Sequence, residues 1–236
     1  MRPDVRYWDK MLPDQAEHAN LYRRDAFMQD LFEVIARSSG IGDPKTEFIL
    51  EESDMFSVEE MASNPVAMRF LQFLIKVAGV KRVLEIGAFI GFSAMSFANA
   101  LPEDGEVVSI EKFDKFATIA QRNFETNGLA HKIKLHQGDA FEIIERLPKD
   151  QMFDLIFVDG NKERYKDYVL KTEPLLAPRG IMIVDDCFYH GDVLNPEPGD
   201  AKGVGTKAFI DYAASCSEWD RIALPLSNGI FMMVRK

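Results

Sequence analysis

The sequence predicts an α/β fold around a seven-stranded, mostly parallel sheet, and two patterns carry that expectation. From Lys81 onward, short β-rich runs alternate with helix-length amphipathic segments, as they do where crossover helices join parallel strands. Near the C-terminus the alternation stops: two short runs flank Ser227-Asn228-Gly229, a turn sequence that joins antiparallel neighbours. A length of 236 residues, 47% of them apolar, suits a single domain, 1–236, with a sizeable core. Residues 1–80 read as a helical cap region and 81–236 as the core. No repeat or low-complexity tract divides the chain.

Taken in order, Phe27, Leu31, Val34 and Ile35 recur at helical spacing, and Ser57-Val58-Glu59-Glu60 has the form of a capping box. Ile41 to Phe56, rich in turn formers and acids, is a lid or a connection. Asn64-Pro65 starts a helix whose expected buried face is Val66, Phe70, Phe73, Leu74 and Val77, and Gly79 ends it. The strands are expected at Arg82–Ile86, Glu106–Glu111, Lys132–His136, Phe153–Asp159, Gly180–Asp185, Asp220–Leu224 and Gly229–Val234.

Composition narrows the function classes. The N-terminus shows no secretory or transit pattern, and the longest greasy run, Phe70 to Val80, is broken by Gln72, Lys76 and Gly79, too soon to span a membrane. Cys187 and Cys216 form no Cys-x-x-Cys pair, as expected of free thiols in a reducing cytoplasm. A formal net charge of −10 disfavours a broad phosphate-binding surface, which makes nucleic acid an unlikely partner.

Chemistry gathers at the ends of the expected strands, where open α/β sheets place their ligands. Val83–Ser93 is an apolar strand running into a turn with Gly87 and Gly91, which lets backbone approach a ligand closely. Strand two ends in Glu111, whose carboxylate can accept from both ribose hydroxyls of a nucleoside. Strand three leads into Gln137-Gly138-Asp139-Ala140, where an adenine would lie; as plain structure, Asp139 would be a helix N-cap. The glycines do not spell Gly-x-Gly-x-x-Gly, and no second mononucleotide-binding half follows, so a dinucleotide dehydrogenase is the runner-up enzyme class. A nucleoside-binding regulator without turnover is the reading from outside enzymology. Asp159, Asp185 and Asp186 end the next two strands and could converge on one cation; carboxylates without His or Cys favour Mg²⁺, Mn²⁺ or Ca²⁺ over zinc. Taken bare, an Asp-Gly turn and an Asp-Asp strand end are ordinary loop chemistry.

Val83–Ser93, Glu111, Gly138-Asp139-Ala140, Phe153–Tyr168 and Ile181–Val193 together resemble the cation-dependent O-methyltransferases, the family of caffeoyl-CoA and catechol O-methyltransferases and many bacterial relatives. The resemblance runs from about Met61 onward. It implies a Rossmann-like methyltransferase sheet with the last strand antiparallel, S-adenosylmethionine as methyl donor, a divalent cation, most simply Mg²⁺, and a homodimer. By position, Ser63, Glu85, Gly87, Ser93, Glu111 and Ala140 would line the cofactor site, with Phe89, Asp139 and Asp159 beside them. Asp159, Asp185 and Asp186 would hold the metal, and Lys162 matches the family's catalytic lysine, which takes the acceptor's proton with Asp159 alongside. His190 is a rival base because its unperturbed pKa suits neutral pH. The family commonly has Asn where this chain has Asp186, a third carboxylate that lessens the pull of the site on a developing phenolate. The implied acceptor is a hydroxylated arene of catechol type; a hydroxyuridine in tRNA is the alternative.

Overall fold

The computed structural model describes residues 34–41, 47–55 and 63–236. Phe27, Leu31 and the capping box at 57–60 lie outside the described residues. The chain divides into a unit of residues 1–47 and a unit of residues 48–236. In the first, residues 34–38 are helical. Everything below concerns the second.

That unit runs α1 (Pro65–Ala78), β1 (Arg82–Ile86), α2 (Phe92–Ala100), β2 (Glu106–Glu111), α3 (Asp114–Thr126), β3 (Ile133–Gln137), α4 (Ala140–Arg146), β4 (Phe153–Val158), α5 (Tyr165–Thr172), β5 (Leu176–Val184), α6 (Ala201–Ser215), β6 (Trp219–Leu224) and β7 (Ile230–Arg235). The seven strands form one sheet in the order β3-β2-β1-β4-β5-β7-β6. Strands β1 to β5 pair in parallel, and β7 lies antiparallel between β5 and β6. The expected Rossmann-like sheet with its antiparallel last strand is therefore present. Its boundaries differ from expectation by a residue at most sites and by four at the start of β5, where Leu176 pairs with Phe153 across a register shift.

Both faces of the central strands are buried, which is why they read as nearly unbroken apolar runs. Leu84, Val108, Ile156 and Met182 face one core cluster, shared with Ile144, Val169 and Phe209 of α4, α5 and α6. Their neighbours Val83, Val107, Leu155, Phe157 and Ile183 face the other, shared with Leu71, Phe97 and Phe124 of α1, α2 and α3. Alternate side chains along each strand thus clamp helices on opposite sides.

Helix α1 begins as its sequence dictates: the Asn64 side chain caps Val66 N at 2.9 Å, and Gly79 ends the helix at φ +67°. Its expected buried face holds in part, because Phe70 and Leu74 pack partly buried against the core, and is otherwise corrected. Ala67, Met68, Leu71 and Ile75 are buried, whereas Phe73 and Val77 are 67% and 69% exposed. The two stripes differ by about one residue, or roughly 100° of helix turn. Side-chain size did not choose the face. Small Ala67 beside alanine-rich α2 (Ala94, Ala98) lets the two helices close on each other, and that contact fixes the rotation.

Candidate active site

At the carboxyl end of β1, Gly87 sits at φ +98°, and a Cβ there would lie 2.3 Å from the backbone oxygen of Asp159. Asp159 N in turn donates to Ile86 O at 2.9 Å. The glycine turn and the loop after β4 are therefore in direct backbone contact, and only glycine permits it. Gly91, at φ +92°, makes room for the Phe124 ring in the same way.

Glu111 closes β2 with 5% exposure. Its Oε2 accepts from Phe89 N at 2.8 Å and its Oε1 from Phe113 N at 2.9 Å, so backbone amides hold the carboxylate on both sides. Burial raises its pKa against the pull of those amides. Phe89 takes φ +50° and meets Phe116 edge-on at 4.9 Å, forming a wall beside this carboxylate. Asp139 is an N-cap: its Oδ1 accepts from Phe141 N at 3.0 Å, and Lys112 lies 3.4 Å from its Oδ2. Ala140 opens α4 and is buried. Glu85, in mid-strand β1, is fully buried; burial lifts its pKa to about 7 against hydrogen bonds from the hydroxyls of Ser109 and Ser93.

The ends of β4 and β5 bring the other predicted residues together. Lys162, in a 3-10 turn over Lys162–Arg164 that Asn161 caps, places Nζ 2.7 Å from Asp186 Oδ2 and 3.9 Å from Asp159 Oδ1. Ser63 Oγ is 3.4 Å from Asp159 Oδ2. Asp185 is 5% exposed and its Oδ1 accepts from Asp186 N at 2.8 Å. Burial first, then repulsion from Asp185, drives the Asp159 pKa well above the usual carboxylate range. Asp185 rises to about 6, chiefly through burial. Lys162 moves upward because its aspartate neighbours outweigh desolvation. In this arrangement its side chain is an ammonium, and a dication among the aspartates would cancel the charge that raises it.

Two observations bear on whether the aspartates suit a cation. Three carboxylates face one ammonium, and among the described residues the buried Asp186 Oδ1 has no hydrogen-bond partner. An all-oxygen donor set carrying excess negative charge fits a hard dication. The side chains are not gathered into a ligand shell: among the described residues no group of three or more His, Cys, Asp or Glu is placed to hold a metal ion. Lys162 stands at Asp186 instead.

His190 is exposed, at φ +54°, with its ring tilted against Tyr189 at 5.3 Å. Among the described residues no hydrogen bond or ion pair joins it to the aspartates. Sequence reasoning missed three contributors. Tyr165, fully buried, puts its hydroxyl 3.5 Å from Asp159 Oδ1, and Lys162 Nζ lies 5.7 Å from its ring centre. Ser109 meets Glu85 because parallel register pairs the two residues, a contact readable once β1 and β2 are aligned. Gly205 lets α6 press on the lysine turn, since a Cβ there would come within 2.3 Å of Lys162 O. The Gly-x-Gly inside a helix was the visible sign of that approach.

Comparison with known proteins agrees with this geometry. A family model described as O-methyltransferase matches residues 46–236. A catechol O-methyltransferase of Niastella koreensis is 30% identical over 148 residues, covering 62% of this chain and 67% of that protein. Caffeoyl-CoA O-methyltransferase 1 of Nicotiana tabacum is 33% identical over 178 residues, covering 71% and 74%. The crystal structure of an O-methyltransferase from Streptomyces achromogenes involved in tomaymycin synthesis, solved in complex with SAM, superposes with a TM-score of 0.70 at 26% identity, covering 86% of each chain.

Proposed function

The chain belongs to the O-methyltransferase family, and from that premise we propose that it moves the methyl group of S-adenosylmethionine to one oxygen of a small arene bearing adjacent hydroxyls, with a divalent cation assisting. The carrying observation is charge: Glu111, Asp159, Asp185 and Asp186 stand at the ends of β2, β4 and β5 with Glu85 inside β1 between them, and among the described residues Lys162 is the cation ion-paired with the aspartates. Such a corner favours ligands that bring positive charge, as a sulfonium does. Glu111, held by two amides, keeps lone pairs for a ribose.

The acceptor oxygen attacks the methyl carbon in line with the carbon–sulfur bond. That bond's electron pair leaves with sulfur, giving a neutral thioether, and the hydroxyl proton passes to the protein. A free phenol ionises near pH 10, so the proton needs a nearby home. Lys162 supplies it: its Nζ lies 2.7 Å from Asp186 and 3.9 Å from Asp159, and a dication offsetting the aspartates' charge would leave desolvation to favour its free amine. Lys162 then faces the developing oxyanion as an ammonium. A dication held by Asp159, Asp185 and Asp186 would lower the pKa of the hydroxyl pair and orient it.

Turnover of isotope-labelled S-adenosylmethionine with catechols, monophenols and bulk tRNA, with Mg²⁺ or with chelator, tests the proposal. Methylation of catechols that stops in chelator is expected. Salt-sensitive labelling of tRNA without catechol turnover would replace the acceptor, and full turnover in chelator would remove the cation.

A further inference from the structure

Residues 48–55 lie along α3 as a strap, and the way they are fastened is unusual. Asn127 Oδ1 accepts from Ile49 N at 2.9 Å while its Nδ2 donates to Ile49 O at 2.8 Å. One helical turn earlier, Asn123 Oδ1 accepts from Glu51 N at 2.6 Å while its Nδ2 donates to Glu51 O at 3.2 Å. The repeats match: four helical residues rise about 6.0 Å and two extended residues about 6.6 Å. Two side-chain amides spaced i, i+4 therefore imitate the edge of a sheet, and the strap binds them as an added strand would. Phe48 packs edge-on against Phe92 at 6.1 Å, and ion pairs Glu51–Arg122 and Asp54–Lys115 flank the clasp.

The two asparagines differ in one respect. Asn123 is 1% exposed and gives a further hydrogen bond from Nδ2 to Ile90 O at 2.9 Å. Ile90 belongs to the turn between Gly87 and Gly91, and the residue after Asn123 is Phe124, whose ring occupies the space left by Gly91. One amide thus holds the glycine turn and the strap together. Eight residues past Met55 the chain reaches Ser63, whose hydroxyl touches Asp159.

We propose that Asn123 is a positioning residue that couples docking of the strap to the shape of the glycine turn, so that the strap and the methyl donor strengthen each other's binding. The inference rests on the cofactor site proposed above. Linkage makes the effect reciprocal: whatever donor binding does for the strap, the strap does for donor binding.

The test measures amide hydrogen exchange at Ile49 and Glu51 with and without S-adenosylhomocysteine, together with the affinity for that product by calorimetry. In the wild-type chain the ligand should slow exchange at both amides. Asn123→Ala should speed exchange at Glu51 and weaken affinity roughly tenfold, the worth of a buried hydrogen bond. Glu51→Pro keeps Asn123 but deletes the strap's donor, and it should weaken affinity by about threefold or more with the melting temperature held. Glu51→Ala, which loses the exposed ion pair and keeps the N–H, should weaken affinity less than Glu51→Pro does. Affinity that is equal in wild type and Glu51→Pro, or exchange at the strap that ignores the ligand, overturns the coupling. Absence of ligand binding by the wild-type chain would instead overturn the cofactor site. Initial rates separate positioning from general damage: KM for the donor should rise in Glu51→Pro while kcat holds.

Discussion

The ends of β1 and β2 and the ends of β4 and β5 both present carboxylates, but they hold them differently. Glu111 is clasped by two backbone amides, with its geometry fixed before any ligand arrives. Asp159, Asp185 and Asp186 have few such bonds: among the described residues one ammonium serves three acids, Asp186 sits at φ +53°, and one of its oxygens is unpartnered. On the proposed function the first region would recognise the methyl donor, because an acceptor aligned in advance needs no reorganisation on binding. The second would carry the reaction, since its repulsion is relieved when positive charge or a proton enters. Backbone contact at Gly87 ties the two together.

If that division is right, Lys162→Ala should show the largest effect, a fall in kcat of about 10²–10⁴ with affinity for S-adenosylhomocysteine nearly unchanged. Single-turnover rates and calorimetry read the two halves separately. A matching loss of affinity would erase the distinction. Glu111→Ala should do the reverse, weakening donor binding about 10- to 100-fold, as loss of a hydrogen bond from a charged group does, with a smaller change in the chemical step.

The smallest effect concerns pH. Glu85 and Asp185 have raised pKa values, about 7 and about 6, so their neutral forms favour the folded state at low pH. That contribution is lost as pH rises through those values, because ionisation then costs more in the folded chain than in the unfolded one. A bound sulfonium offsets the new negative charge. The rise in melting temperature caused by S-adenosylmethionine should therefore grow from about pH 5 to about pH 8, and the rise caused by the uncharged thioether product should grow less. Equal growth for the two ligands in differential scanning calorimetry would show that the buried acids do not sense the sulfonium.

Much of the recognition half was legible in the sequence, because its chemistry follows from position. A strand that must end in a tight turn needs glycine, and an acid at the next strand end falls beside it by register. The reaction half was legible as a set of residues but not as an arrangement. Spacing puts Lys162 one turn past Asp159, yet nothing in spacing says that it pairs with Asp186 across two strands. Tyr165 and Asn123 read as ordinary helix residues, and only packing between distant elements makes them part of the site. Helix α1 failed for a related reason: its rotation is set by the alanines of α2, which its own sequence does not contain.

The turn between β6 and β7 bears on the order in which the protein becomes able to work. Cys187 N donates to Gly229 O at 3.0 Å and Phe188 N to Asn228 O at 2.7 Å, while a Cβ at Gly229 would meet the Phe188 ring. The segment directly after Asp185 and Asp186 is therefore braced by residues that leave the ribosome some forty positions later, and the second neighbour of β5 is β7, the last strand of the chain. During synthesis the glycine turn and Glu111 can reach their final form while the acid corner still lacks its brace. The brace of the acid corner is thus the last part of the site to be made.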